Sequence, residues 1–276
     1  MRAKQSLVVI IAGLLSGCVN STPVNPSFPI STDLARRVLS DAAAKPKPFA
    51  RPLVIVDGFF DPFGNGADLT GDYRPYTCDD RIVGVPLGLL TNFDDFRKKI
   101  IRSVDKAFPS SDPNLTTDVD VIGISMGGIA ARYAAINPAP GRRLRIHRLF
   151  TISSPHLGSV CLEGNPYHLI TALEQVRHGS SLLDEINHST DPSSRYPIYP
   201  YVCLGDRVVG EAFAAPPLRR VWWVSSSVFP DSHSWAGDDP RIRADIVRRL
   251  RDETPLATDP PAPLPQITVV RRARAK

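Results

Sequence analysis

The chain has 276 residues, 42% hydrophobic and 22% charged, with a mean hydropathy of −0.10. Such a composition can bury a core and excludes a disordered or collagen-like polymer; the length points to one large domain, or at most two. Lysine and arginine outnumber aspartate and glutamate by 33 to 28, a surplus too mild to mark a nucleic-acid binder, whose affinity rests on cations clustered against phosphates.

The chain opens with a positive start, Arg2 and Lys4, then an uninterrupted apolar run from Leu7 to Leu15, then Ser16, Gly17 and Cys18. This is the pattern of a secretory signal; a membrane-spanning helix needs about 20 apolar residues, more than twice this run. Leu15-Ser16-Gly17-Cys18 resembles the lipobox of bacterial lipoproteins. That resemblance implies cleavage before Cys18, lipid attachment to Cys18 and a membrane anchor in the cell envelope. Val19 stands where aspartate is associated with inner-membrane retention, which implies an outer-membrane address. Acyl chains contribute about 0.8 kcal/mol per buried methylene, so several of them hold a protein stably. Removing Arg2 and Lys4 with the signal lowers the net charge from +5 to +3.

Proline is unusually frequent, at 27 residues. Six lie between Pro23 and Pro52 and five between Pro255 and Pro265, and such stretches do not suit helix or strand interiors. The expected layout is a signal peptide over 1–17, a proline-rich linker over 18–50, a compact domain over 51–254 and a basic, proline-rich tail over 255–276. Arg271, Arg272, Arg274 and Lys276 in that tail read as a solvated segment.

Within the domain, Leu53 to Val56 is a short β-branched run that ends at Asp57-Gly58, a strand buried on both faces. A long segment rich in Gly, Asp and Pro follows, and connections of that length are usually functional. Ile82 to Val85 predicts a second strand. Phe93, Phe96, Ile100, Val104 and Phe108 recur at helical spacing, with Thr91 or Asn92 as cap and Asp94 and Asp95 suited to the positive helix start. Val119 to Ile124 predicts another buried strand, Met126 to Ile136 a closely packed helix and Leu144 to Ser153 the next strand. A helical stretch over Tyr167 to Ile186 precedes strands at Ile198 to Leu204 and Val221 to Ser226. A last helix starts with Asp239 as cap and Pro240 at its first position. Strands alternating with helices predict an α/β fold, a mostly parallel sheet with helices on both faces.

Cys78, Cys161 and Cys203 remain after Cys18, an odd number in a compartment that permits disulfides. Cys203 falls in a strand and reads as a buried hydrophobe. Cys78 and Cys161 fall in loop-like sequence and are the favoured pair.

Gly123-Ile-Ser125-Met-Gly127 fits Gly-x-Ser-x-Gly, immediately after a strand and opening a helix. In that setting the serine is a nucleophile on a sharp turn, and the glycines leave room where Cβ atoms would collide. A serine needs a general base and the base an orienting carboxylate, in the chain order Ser, acid, His for this motif. Of the six histidines, His147 lies in a strand, while His168, His178 and His188 lie in helical or polar stretches. His233 follows the last strand and precedes the final helix, where it can reach the sheet edge. Asp206 ends the run Tyr201 to Gly205 and is the favoured acid; Asp184, Asp191 and Asp231 compete with it.

These residues make the chain similar to the α/β-hydrolases, and within them to bacterial lipases and esterases. The resemblance covers about residues 51 to 252, anchored on Leu53 to Phe59, Gly123 to Gly128, Ser153-Ser-Pro-His156-Leu-Gly158, Gly205-Asp206 and His233. It implies an α/β-hydrolase fold, an oxyanion hole formed by the backbone N–H groups of Phe59 and Met126, and a structural or pocket-edge place for His156. The sequence departs from the family at Asp57, where histidine is usual, and at Ile124. An ionised, unpaired Asp57 near the oxyanion would disfavour a negative intermediate.

The expected reaction is ester hydrolysis through an acyl-enzyme, with no metal or organic cofactor. Ester or acyl-lipid molecules are the expected substrates. Phe59, Phe60, Phe63 and Trp235 are candidates to line an acyl pocket, although aromatics more often build ordinary core. Asp238 and Asp239 read as a helix start rather than a calcium site. Two rivals stay open: a thioesterase or acyltransferase with the same triad, and a cell-envelope lipoprotein that kept the fold as a binding module.

Overall fold

The computed structural model describes residues 23–59, 70–88, 90–136, 141–163, 170–190, 195–225 and 232–265. Cys18 and the rest of the expected signal, Phe60, Phe63, His168, Asp191, Asp231 and the basic residues after 270 lie outside these ranges.

Six strands are described: β1 (Leu53–Val56), β2 (Ile82–Val85), β3 (Val119–Ile124), β4 (Ile146–Ile152), β5 (Ile198–Cys203) and β6 (Trp222–Val224). They form one parallel sheet in the order β2-β1-β3-β4-β5-β6. Parallel strands are buried on both faces, and consecutive side chains point to opposite ones. Val54 and Val56 accordingly join one layer, with helices α2 (Phe93–Ala107), α3 (Met126–Ala135) and α5 (Ser181–His188). Leu53 and Ile55 join the other, with α1 (Thr32–Ala44) and α7 (Pro240–Leu250). Helix α4 (Thr171–Gln175) precedes α5, and α6 (Ser232–Trp235) precedes α7.

The local signals act as expected. Asn92 caps α2, its side chain accepting from the Asp95 amide at 2.9 Å, and Asp239 caps α7, accepting from the Arg241 amide at 2.9 Å. Of the helical stretch expected over Tyr167 to Ile186, the first residues lie outside the described ranges, and the rest is two helices, α4 and α5, separated by a turn at Gly179 with φ +73°.

Both proline-rich ends depart from the expected layout. Residues 32–44 form a 13-residue helix whose Ala35, Leu39 and Ala42 pack into the α7 layer with Phe28, Ile30 and Phe49. The prolines flank this helix, at Pro29 and Pro46, and none interrupts it. Ser31 caps it, accepting from the Leu34 amide at 3.2 Å. At the other end, the Trp222 and Trp223 indoles donate to the carbonyls of Thr258 (2.9 Å) and Pro263 (3.2 Å), which fastens the tail to strand β6.

The three described cysteines are free thiols, so the expected Cys78 to Cys161 bridge is not formed. Cys78 follows Tyr76, a residue of the α1 and α7 layer, whereas Cys161 packs on the α2 and α3 layer; the sheet separates them. Cys203 is buried in β5, as expected. No helix among the described residues is long and apolar enough to cross a membrane.

The tail is also held by a buried carboxylate on α7. Asp245 accepts from the Tyr201 hydroxyl (2.6 Å), Arg249 Nε (2.8 Å) and the amides of Leu256 (2.6 Å) and Ala257 (2.9 Å). Removing it strands a nearly buried guanidinium and two amides, a loss of about 3–5 kcal/mol for a broken buried pair. Asp245→Ala should therefore unfold at clearly lower urea, with the stability loss in that range, while Asp33→Ala, at an exposed side chain of α1, should change stability by less than about 0.5 kcal/mol.

Candidate active site

The strand order reverses at β1 and β3: from β1 the chain moves outward to β2, then returns to place β3 on the other side. A crevice at the carboxyl ends of such a pair is where open α/β sheets bind ligands. Ser125 sits there, between the end of β3 and the start of α3, with φ +51° and ψ −125°. A non-glycine residue in this region is strained by about 1–3 kcal/mol and persists only where its surroundings impose it.

The surroundings are glycines packed to contact. A Cβ on Gly127 would collide with the carbonyl oxygens of Val56 and Asp57, one on Gly123 with the backbone of Gly128, and one on Gly128 with the Ser154 side chain. The start of α3 can therefore approach β1 and β4 more closely than any other residue would permit. The Ser125 amide donates to the Ile152 carbonyl at 2.8 Å, tying the turn to β4.

The two other candidates converge on this serine from the far side of the sheet. Asp206 follows β5 after Gly205, whose φ of +87° turns the chain. His233, expected in a loop, is on the one-turn helix α6. His233 Nδ1 lies 2.9 Å from Asp206 Oδ2, and Nε2 lies 3.0 Å from Ser125 Oγ. The other Asp206 oxygen accepts from the amides of Val208 and Val209, both at 2.9 Å. Burial alone would raise the Asp206 pKa, but the hydrogen bonds from His233 and the Val209 amide outweigh it, and the pKa is lowered. An ionised carboxylate only accepts, so Nδ1 carries a proton and Nε2 presents its lone pair to the Ser125 hydroxyl.

The competitors are elsewhere. Asp184 is on the surface of α5, paired with His188 at 2.9 Å. His147 lies 3.4 Å from Asp118 at the opposite end of the sheet. His178 Nδ1 donates to the Leu157 carbonyl at 2.7 Å.

Met126 is the first residue of α3, and the first amides of a helix have no acceptor within it. Gly58 abuts the serine: a Cβ there would lie 3.2 Å from Ser125 Cβ. Phe59 follows, its ring edge-on to Phe96 at 6.5 Å. Asp57 is turned back on its own chain, with Oδ1 accepting from the Gly58 amide at 2.7 Å. That bond holds the bend between β1 and Phe59, so the carboxylate the sequence flags as a hazard takes part in shaping the turn.

His156 is fully buried away from the serine. Its Nδ1 faces Arg132 Nη1 at 3.0 Å and its Nε2 faces Thr151 Oγ1 at 3.0 Å. Arginine only donates, so Nδ1 accepts and Nε2–H donates. Arg132 also bonds Asn187 Oδ1 (2.8 Å) and the Ile186 carbonyl (3.0 Å), while Asn187 Nδ2 donates to the His156 carbonyl at 2.9 Å. The network locks α5 to α3 and to the segment after β4, a structural place for His156. Sequence spacing contains no sign of this partnership, because its members meet only across three elements.

Asp239 caps α7 and pairs with Arg241 at 2.6 Å, and Asp238 pairs with Arg243 at 3.0 Å. No cluster of three or more His, Cys, Asp or Glu residues suited to a metal occurs among the described residues.

A parallel sheet that reverses its strand order at a strained Gly-x-Ser-x-Gly turn is the arrangement of the α/β-hydrolase fold. Residues 68–190 match the family described as the PGAP1-like alpha/beta domain; the matched stretch contains Ser125 and ends before Asp206 and His233. No curated protein sequence matches the chain. Among solved structures, it is similar to phospholipase PlaB from Legionella pneumophila at 13% identity and a TM-score of 0.42, over 59% of this chain and 45% of that one. The chain thus spans less than half the length of that phospholipase. It is also similar to the mature Bacillus licheniformis lipase BlEst2 (13% identity, TM-score 0.46, 77% of this chain and 94% of that one). A lipase-esterase related protein from Clostridium acetobutylicum is a further likeness (10% identity, TM-score 0.43, 74% and 97%).

Desolvation first, and then the Arg132 charge, push the His156 pKa well below its ordinary value of 6.5. The native state keeps this ring neutral while the unfolded chain protonates it, so stability holds above about pH 6.5 and falls below it, by about 1.4 kcal/mol per pH unit from this group. Urea unfolding at pH 7, 6 and 5 should show a steeper loss in the wild type than in His156→Asn; equal slopes would refute the assignment.

Proposed function

We propose that the protein is a serine hydrolase that cleaves carboxylic esters, with Ser125 as nucleophile, His233 as general base and Asp206 as the orienting acid. The observation that carries this reading is the continuous chain from Asp206 Oδ2 through the His233 ring to Ser125 Oγ, at 2.9 and 3.0 Å. Ser125 Oγ attacks the ester carbonyl carbon as its proton passes to His233 Nε2. The carbonyl oxygen gains negative charge and is received by the amides of Met126 and Phe59, donors that strengthen as charge develops. When the intermediate collapses, the ester C–O bond breaks and the alcohol leaves with the proton from His233. Water, deprotonated by the same nitrogen, then cleaves the acyl-enzyme and restores the serine. Buried and bonded by two amides, Asp206 keeps the ring in one tautomer and stabilises the imidazolium.

Acyl lipids are the substrate class in this reading. It is supported by apolar side chains near the triad: Trp235, 51% exposed, two residues from His233, and Val208, 37% exposed, two residues from Asp206. Lipid attachment at Cys18 and an outer-membrane, cell-envelope location belong to the same proposal, on the strength of the lipobox resemblance alone. Incorporation of an alkyne fatty acid in cells, abolished by Cys18→Ser, is the expected result for the anchor.

A fluorophosphonate probe should label Ser125 in the purified protein and leave Ser125→Ala unlabelled. Asp206→Asn should lower kcat on p-nitrophenyl esters by about 10⁴-fold, the scale seen when the base is left in the wrong tautomer. Absence of labelling in folded wild-type protein would instead favour the binding-module reading. Excess alcohol added to the assay separates hydrolysis from acyl transfer by its products.

A further inference from the structure

We infer that Arg243 is a positioning residue for His233, an inference that rests on the function proposed above. The helix that carries His233 has only four residues, Ser232–Trp235, far too short to hold itself in water. Tertiary contacts must therefore set its place. At its start, Ser232 Oγ donates to the Leu204 carbonyl beyond β5 at 2.9 Å. At its end, the chain leaves through a turn in which the Ala236 amide bonds the His233 carbonyl (3.4 Å) and the Asp238 amide bonds the Trp235 carbonyl (3.0 Å).

The Arg243 guanidinium reaches that turn from α7. Its Nη2 lies 3.2 Å from the Gly237 carbonyl oxygen and 3.0 Å from Asp238 Oδ1. The same nitrogen lies 3.2 Å from Asp72 Oδ2, in the connection from β1 to β2. On its other side the turn abuts Ile124, the residue before the nucleophile: a Cβ on Gly237 would stand 4.0 Å from Ile124 Cδ1. The turn behind the base is thus held between the serine strand and one guanidinium, which also holds the connection that leaves β1.

The chemistry suits arginine. Asp72 and Asp238 are each about half exposed, so the ion pairs by themselves are worth little. The bond to the Gly237 carbonyl acts on the backbone directly, and the Arg243 side chain is only 15% exposed. Burial opposes its charge, but the carboxylates of Asp72 and Asp238 beside it favour it, and the guanidinium stays charged. If the bond is lost, the one-turn helix can tilt and carry Nε2 away from Ser125 Oγ. A misplacement of about 1 Å costs on the order of 10²-fold in rate.

The test uses the whole purified protein with Arg243→Gln, Arg243→Lys and, for the β1 side alone, Asp72→Asn. Three readouts are taken: the rate of fluorophosphonate labelling of Ser125, kcat and KM on p-nitrophenyl esters, and the low-field proton resonance of His233 Nδ1–H, assigned with His233→Ala. Arg243→Gln should lower labelling and kcat together by about 10- to 100-fold with KM within about twofold, and should shift or broaden the resonance. Arg243→Lys, which keeps charge and a donor, should recover part of both, and Asp72→Asn should lose less than Arg243→Gln. Labelling at the wild-type rate with an unchanged resonance in Arg243→Gln overturns the inference. So does a loss that merely follows the fraction unfolded at the assay temperature and is not relieved by lysine. If wild-type Ser125 is not labelled at all, the proposed function fails, and the resonance alone still decides whether Arg243 orders His233.

Discussion

The site depends on how closely the first turn of α3 approaches the ends of β1 and β4. Gly127 lies against the carbonyls of Val56 and Asp57, and Gly128 lies against Ser154, at separations that admit no side chain. This packing imposes the positive φ on Ser125 and holds the start of α3 beside the bend at Gly58. Strain of this kind survives only because a rigid sheet surrounds it, and the sheet is rigid because parallel strands are buried on both faces.

Electrostatics complete what packing begins. An aspartate as buried as Asp206 would ordinarily gain a proton, yet two backbone amides and the His233 ring keep it ionised. Asp206 Oδ2 is thereby left facing Nδ1 while Oδ1 is taken up by the two amides, and the lone pair of Nε2 faces the serine. His156 holds the opposite tautomer, its Nδ1 accepting from Arg132 and its Nε2–H donating to Thr151. Enclosed beside Arg132, it is held neutral and serves as a joint between helices. Two histidines of one chain thus differ in chemistry because one faces a carboxylate and the other a guanidinium.

The proline-rich ends carry a further lesson. Proline excludes helix where it falls within the run, and the 13 residues of α1 contain none. The signal for that helix is present: Ser31 as cap, then Ala35, Leu39 and Ala42 at helical spacing. Proline density over a longer window hides it. In the tail, backbone groups matter more than side chains: the carbonyls of Thr258 and Pro263 accept from two tryptophan indoles, and the amides of Leu256 and Ala257 donate to Asp245.

The sequence by itself determined the alternation of strands and helices, the cap at Asp239 and the Gly-x-Ser-x-Gly turn at Ser125, and narrowed the α2 cap to Thr91 or Asn92. These are local or periodic properties, set by apolar spacing, by cap chemistry and by where glycine alone fits. Only the tertiary structure decided that Cys78 and Cys161 lie on opposite sides of the sheet, that Asp57 turns back onto Gly58, and that Arg132 meets His156 and Asn187. It alone brought Arg243 against Gly237, Asp238 and Asp72. Each of these depends on side chains far apart in the chain meeting in space, and no residue spacing encodes such a meeting until the sheet has fixed where every element ends.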